Sequence, residues 1–207
     1  MAEHTEHGAI YLLRHGQTEW SRTGRHTGRT DVALTDVGEQ QARRAGTVLS
    51  ALRATDVPPA AVLCSPRQRA RRTAALVGLV VKETTELLSE WDYGDYEGLT
   101  TEEIREKVPQ WTVWSHPIPG GESSDAVHER ALRVLDLARN ALPAGDVVLI
   151  GHGHFTRVLI AAWLGEHATT GERYGLGPAS VSVVGTERGT PQIRHLNIPP
   201  AEVARLD

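Results

Sequence analysis

Short apolar runs that stop abruptly at polar residues alternate along the chain with stretches whose apolar positions recur every three to four residues. Ala9 to Leu13 is the first such run; it ends in Arg14-His15-Gly16 and predicts a buried strand. Val37, Ala42, Ala45, Val48, Leu49 and Leu52 then repeat at helical spacing, with Thr35 or Asp36 as the cap. Ala61 to Cys64 predicts a second strand, and Ser65-Pro66 then predicts a helix from Pro66 to about Leu79, with serine capping and proline at the first helical position. Glu122 to Leu142 carries Val127, Ala131, Val134, Leu135, Ala138 and Leu142 on one stripe, another helix. Val147 to Ile150 repeats the strand pattern, ending in Gly151-His152-Gly153 ahead of a helical stretch from Phe155 to Leu164. Ser180 to Val184 and Gln192 to Leu196 read as closing strands around a turn at Glu187-Arg188-Gly189.

Alternation of strands and helices implies an α/β protein, a three-layer α/β/α sandwich with a mostly parallel central sheet and helices on both faces. No linker or repeat divides the chain, so residues 1–207 are expected to form one domain. Leu99 to Gly121 is less regular, holding Trp111, Trp114 and His116 among Pro109, Pro117 and Pro119. It is expected to be a cap-like excursion from that domain, its tryptophans covering the core.

Composition narrows the class. With 40% apolar and 23% charged residues, the chain is neither low-complexity nor a disordered tail. A net charge of -4 argues against nucleic acid or an anionic membrane as partner. Lys82 and Lys107 are the only lysines among 22 basic residues, so the arginine excess reads as compositional and each arginine must be judged by its neighbours. Cys64 stands alone, which excludes a disulfide framework and a cysteine-based zinc site and leaves it as a small buried apolar residue. Met1 to Ile10 lacks the apolar core of a signal peptide and no stretch reaches membrane-spanning length, so a cytoplasmic location is expected.

Ligands of α/β sheets gather beyond the carboxyl ends of the strands. Arg14-His15-Gly16 and Gly151-His152-Gly153 each set a histidine there beside a glycine. Cys64-Ser65-Pro66 leads into Arg67-Gln68-Arg69, and a cation in the first turn of a helix is unfavourable unless an anion is bound. Two histidines and at least two arginines around one point read as a phosphate site, with arginines on the oxygens and a neutral imidazole attacking phosphorus. The acid that protonates the departing alkoxide is expected between Glu90 and Glu97, where Asp92, Asp95 and Glu97 are alternatives to Glu90 and aromatic neighbours can desolvate a carboxyl group. Glu97 beside Gly98 reads better as a loop tie, and Arg67, Arg71 and Arg72 as solvated helix-surface charges. His152 with His154, two residues apart at a turn, is too weak a pattern for a metal pair, and no metal is expected. His4, His7 and His116 have no assigned role, while His26 is placed at the pocket rim.

Leu13-Arg14-His15-Gly16-Gln17-Thr18-Glu19-Trp20-Ser21, followed by Thr27-Gly28, Asp31, Leu34-Thr35 and Gly38, resembles the signature of the histidine phosphatase superfamily, the group that includes cofactor-dependent phosphoglycerate mutases and many acid phosphatases. Ser65-Pro66-Arg67-Gln68-Arg69-Ala70 with Thr73-Ala74 resembles the family's second block and Gly151-His152-Gly153 its last, so the likeness runs from Leu12 to about Leu164. The resemblance implies a phosphoglycerate mutase-like fold and His15 as a nucleophile that forms a phosphohistidine. It also implies that Arg14, Arg69 and His152 complete the phosphate pocket, with Glu90 as acid and then base. Thr18, Ser21, Thr27 and Gly28 match positions that help to bind phosphate or substrate, and Gly153 and His154 join them. Gln17 replaces a glutamate common in relatives, and His154 stands where mutases usually have asparagine.

The implied activity is hydrolysis of small phosphomonoesters, of broad specificity and without a cofactor. The alternative is a phosphoglycerate mutase dependent on 2,3-bisphosphoglycerate; mutases carry a longer insertion than the 62 positions that separate Glu90 from His152 here. A non-catalytic phosphate-binding module is a third reading, disfavoured because His15, Arg14, Arg69, Glu90 and His152 are all present. Relatives that form dimers leave a homodimer open.

Overall fold

The apolar runs are unbroken because the strands are covered on both faces. In the computed structural model, which describes residues 8–200, the chain runs β1 (Ile10–Arg14), α1 (Glu19–Arg22), α2 (Asp36–Arg53), β2 (Ala61–Cys64), α3 (Gln68–Val77), β3 (Glu83–Thr84), α4 (Thr101–Arg105), α5 (Ser124–Ala141), β4 (Val147–Gly151), α6 (Gly153–Trp163), β5 (Val181–Glu187) and β6 (Thr190–Ile198). His4, His7 and most of the Met1–Ile10 segment lie outside the described residues. Strand order is β3, β2, β4, β1, β5, β6; the first four are mutually parallel, β5 runs antiparallel to β1, and β6 antiparallel to β5.

Alternate residues of each strand serve opposite layers. Ile10, Leu12, Leu63 and Leu149 pack with Val134 and Leu135 of α5 and Phe155 and Leu159 of α6. Tyr11, Leu13, Val62, Cys64, Val148 and Ile150 pack with Ala45 and Leu49 of α2 and Ala70 and Ala74 of α3. This is the expected three-layer sandwich. The turn at Arg188-Gly189, both with positive φ, closes β5 onto β6 as the sequence predicts.

Two local expectations change. Helix α3 starts at Gln68 rather than Pro66, and its N-cap Arg67 gives no side-chain cap. The Ser65 hydroxyl meets the His152 ring at 2.7 Å, and the first helical amide, Gln68 N–H, is satisfied from a distance by Asp31 Oδ1 at 2.8 Å. The excursion 99–121 is more than a cover. Ile104, Trp111, Val113, Trp114 and Ile118 enter the same core as α5 and α6, and burying each such side chain contributes roughly 1.5–3 kcal/mol.

Candidate active site

Register brings the site together. Arg14 pairs with Gly151 and Cys64 with Ile150, so the next residue of each strand, His15, His152 and Ser65, emerges at the same carboxyl edge. The His15 and His152 rings lie 5.2 Å apart between centroids. Gly16 and Gly38 make the loop after β1 fit onto the first turn of α2. A Cβ on Gly16 would come within 2.3 Å of the Gly38 carbonyl oxygen, and one on Gly38 within 2.0 Å of the Gln17 oxygen.

Hydrogen bonds define the tautomers. His15 Nδ1 lies 2.7 Å from the Gly16 carbonyl, which only accepts, so Nδ1 carries the proton. His15 Nε2 is left with its lone pair, accessible and without a partner among the described residues. His152 is the reverse: Nδ1 accepts from Arg69 Nε at 3.2 Å, and Nε2–H donates to Ser65 Oγ at 2.7 Å. Burial, then the charges of Arg69 and Arg14, holds His15 well below the ordinary histidine value. Burial and Arg69 do the same for His152. Both rings are therefore neutral.

Arg69 is fully buried and donates to the Thr30 carbonyl at 2.8 Å, to Thr27 at 3.0 Å and to Gly28 at 3.2 Å, besides His152. Three carbonyls thus answer much of its charge at the start of α3, where the sequence suggests an anion alone. Arg14 differs. It donates Nη1 to the Leu176 carbonyl, while its Nε is buried without an acceptor among the described residues. Gly153 makes room for that guanidinium, since a Cβ there would sit 3.1 Å from Arg14 Cζ.

Glu90 caps α6 from another segment. Oε1 accepts from Trp91 N at 2.9 Å and Phe155 N at 2.7 Å, and Oε2 accepts only from His154 N, at 3.0 Å. No side chain within α6 caps it, so this carboxylate serves the exposed amides of its first turn. Two of the alternatives are occupied elsewhere, and the third, Asp95, does not line the cavity that opens over this site. Asp92 pairs with Arg29, and Glu97 accepts from Gly28 N and Thr30 N as the expected loop tie.

A cavity of about 460 Å³ opens over these groups. Of the residues nominated from sequence, Arg14, His15 and Glu90 line its floor, and Ser21, Thr27, Gly153 and His154 also line it. Arg69 and His152 stand behind the wall, holding His15 and the Thr27–Thr30 loop. Thr18 is fully buried as the N-cap of α1, in a capping box with Ser21, and does not reach the cavity. Gly28 packs on the Trp91 carbonyl and the Glu97 carboxylate, also outside it. The mouth is built from His26, Tyr93, Trp111, Trp114 and Arg157. Tyr93 and Arg157 were not expected; Arg157 follows His154 by three positions on a helix, a spacing that shares one face and signals it. Among the described residues no group of three His, Cys, Asp or Glu side chains is placed to hold a metal, and no helix is long and apolar enough to cross a membrane.

Comparison with known proteins agrees with this geometry. An acid phosphatase of Mycobacterium tuberculosis is 47% identical over 189 residues, 91% of this chain and 92% of the relative. The solved structure of an open reading frame from the same organism superposes with a TM-score of 0.89 at 45% identity, covering 94% of this chain and 99% of that one. A 2,3-bisphosphoglycerate-dependent phosphoglycerate mutase of Methylorubrum populi is 37% identical over 168 residues, 73% of this chain and 76% of the mutase. Since the family model for branch 1 of the group matches residues 10–199, nearly every described residue, the chain belongs to the histidine phosphatase superfamily.

Proposed function

We propose that this chain hydrolyses small phosphomonoesters through a phosphohistidine on His15. The observation that carries the proposal is the neutral His15 ring, its Nδ1–H tied to Gly16 and its Nε2 lone pair open to a cavity floored by Arg14 and Glu90. In the first step Nε2 attacks phosphorus, the P–O bond to the alcohol breaks, and the departing oxygen takes a proton from Glu90. Oε2, with a single protein donor, has the lone pair free to hold that proton. In the second step the Glu90 carboxylate removes a proton from water, the water oxygen attacks phosphorus, and the N–P bond breaks to release phosphate and restore His15.

Charge on the transferring phosphoryl group falls to Arg14, whose unpartnered buried Nε is a donor waiting for an acceptor. Arg69 and His152 act one step back. His152 takes a hydrogen bond from Arg69 and gives one to Ser65, fixing the wall against which His15 stands. No metal or organic cofactor enters this scheme. His15 stays neutral well below its ordinary value, so the nucleophile remains competent in mildly acidic solution.

Hydrolysis is favoured over mutase chemistry because the interval after Glu90 is short and the identity to an acid phosphatase spans nearly the whole chain, against about three quarters for the mutase. A panel of small phosphomonoesters, with 3-phosphoglycerate plus 2,3-bisphosphoglycerate alongside, tests this. Release of inorganic phosphate from several esters is expected. Isomerisation of 3-phosphoglycerate without phosphate release would overturn the proposal, and one ester preferred by orders of magnitude would overturn its breadth.

A further inference from the structure

His154 occupies the second position of α6, where its backbone N–H is already spent on Glu90 Oε2 and its ring leans across the mouth of the cavity. The ring meets the edge of Trp114 at 5.2 Å and stacks towards His26 at 5.9 Å between centroids. Its Nδ1 lies 2.6 Å from the hydroxyl of Tyr93, a residue only 1% exposed. Two donors cannot share that contact. One partner must accept, and the choice decides where the imidazole proton sits.

The surroundings make the choice. Tyr93 is enclosed with Glu90 and Glu97 nearby, and burial followed by those charges keeps its phenol protonated; that buried O–H has no other partner among the described residues, so it donates to His154 Nδ1. Burial, then His26, Arg157 and Arg14, holds His154 well below the ordinary histidine value. The groups facing the ring are thus Tyr93, Trp114, His26, Arg157 from its own helix, Arg14 from β1 and Glu90 beneath. A neutral imidazole accepting at Nδ1 carries its proton on Nε2. That nitrogen has no partner among the described residues, yet it is not a buried atom, so it opens on the cavity.

We propose that Tyr93 is a positioning residue: its hydroxyl fixes His154 as the Nε2–H tautomer, and that N–H binds an acceptor oxygen on the leaving group. Resting on the phosphatase reading above, this names a substrate class. Phosphomonoesters whose alcohol carries a hydroxyl or carboxylate near the ester gain over aryl phosphates that have none. A neutral donor suits the place, because a third cation beside Arg14 and Arg157 would be repelled.

Nitrogen-15 NMR of the histidine rings and the ratio of kcat/KM for glycerol 2-phosphate over phenyl phosphate test it together. The unaltered protein is expected to show His154 with a protonated Nε2 and a bare Nδ1. Tyr93→Phe keeps the ring volume and removes only the donor; the tautomers then mix, and the substrate ratio falls in proportion to the Nε2–H form lost, about twofold for an even mixture. Adding His154→Gln to Tyr93→Phe restores the ratio, since the glutamine amide N–H reaches the position of Nε2 and needs no tautomer. A purely structural role for Tyr93 would not be rescued this way.

A protonated Nδ1 in the unaltered protein, or a ratio unchanged by Tyr93→Phe, overturns the inference. The first of these measurements stands even if the variant does not fold. Mass spectrometry of the quenched enzyme separates the two levels. A phosphohistidine on His15 with an unchanged ratio sinks this inference alone, whereas the absence of one on His15 sinks the phosphatase reading with it.

Discussion

The floor and the mouth of the cavity are built on different principles. On the floor, each group is held by backbone: His15 by the Gly16 carbonyl, Arg14 by the Leu176 carbonyl, Glu90 by three amides. In the mouth, side chains mostly hold one another, Tyr93 on His154 and Trp114 against Trp91 and His154, while Arg157 lies over Trp114 and is also tied to the Gly171 and Glu172 carbonyls. Backbone partners are available whatever the neighbouring side chains are. A floor made that way can stay constant while a mouth made of side chains is rebuilt for another leaving group.

Breaking the floor should therefore cost rate, and breaking the mouth should cost selectivity and stability. Glu90→Gln is the sharpest case. Its amide oxygen can still accept from Trp91 and Phe155, but the NH₂ faces the His154 N–H and carries no transferable proton. Steady-state kcat with phenyl phosphate should fall about 10²- to 10⁴-fold, with KM little changed. If KM rises while kcat holds, Glu90 binds rather than reacts, and the division between floor and mouth fails.

Trp114→Ala probes the other region. Trp114 is buried against Trp91 and carries Arg157 on its face at 4.6 Å. Its loss should lower unfolding free energy by about 3–5 kcal/mol in urea titration and raise KM more than it lowers kcat at temperatures where the variant stays folded. An unaltered midpoint would mean that the excursion 99–121 is a detachable cap rather than a part of the core.

Per residue, the smallest effect is set by protons. His15, His152 and His154 are held well below the ordinary value, and burial takes His26 down to about 4. A histidine depressed in the folded state gives stability that is complete above the unfolded value near 6.5 and is lost as pH falls from there towards the folded value. For His26 the loss is about 1.4 kcal/mol per pH unit across that window, and the other three rings act in the same direction. Melting temperature should drop steadily from pH 6.5 to pH 4.5, and less steeply in His26→Gln. A melting temperature that is flat over this range would show that these rings are solvated.

How much of this the sequence reveals follows the same division. Strands β1, β2, β4 and β5 are legible because both their faces are buried, whereas the exposed two-residue β3 leaves no trace; the site is legible because strand-end residues such as Arg14-His15 and Gly151-His152 lie next to each other along the chain. Arg69 is legible as a site residue, but its direction is not: nothing local indicates that Thr27, Gly28 and Thr30 will turn their carbonyls to it. The capping of α3 by Asp31 across 37 positions is invisible for the same reason. Tyr93 with His154 lies 61 positions apart, and such a pair exists only once the mouth has folded.

The most direct test of the central claim is to trap the intermediate. Rapid acid-free quenching of Glu90→Gln during turnover of an aryl phosphate, followed by peptide mass spectrometry, should find one phosphoryl group on His15 Nε2 and none in the His15→Ala control. A phosphoryl group on any other residue, or product formation with His15 unmodified throughout, would contradict the account.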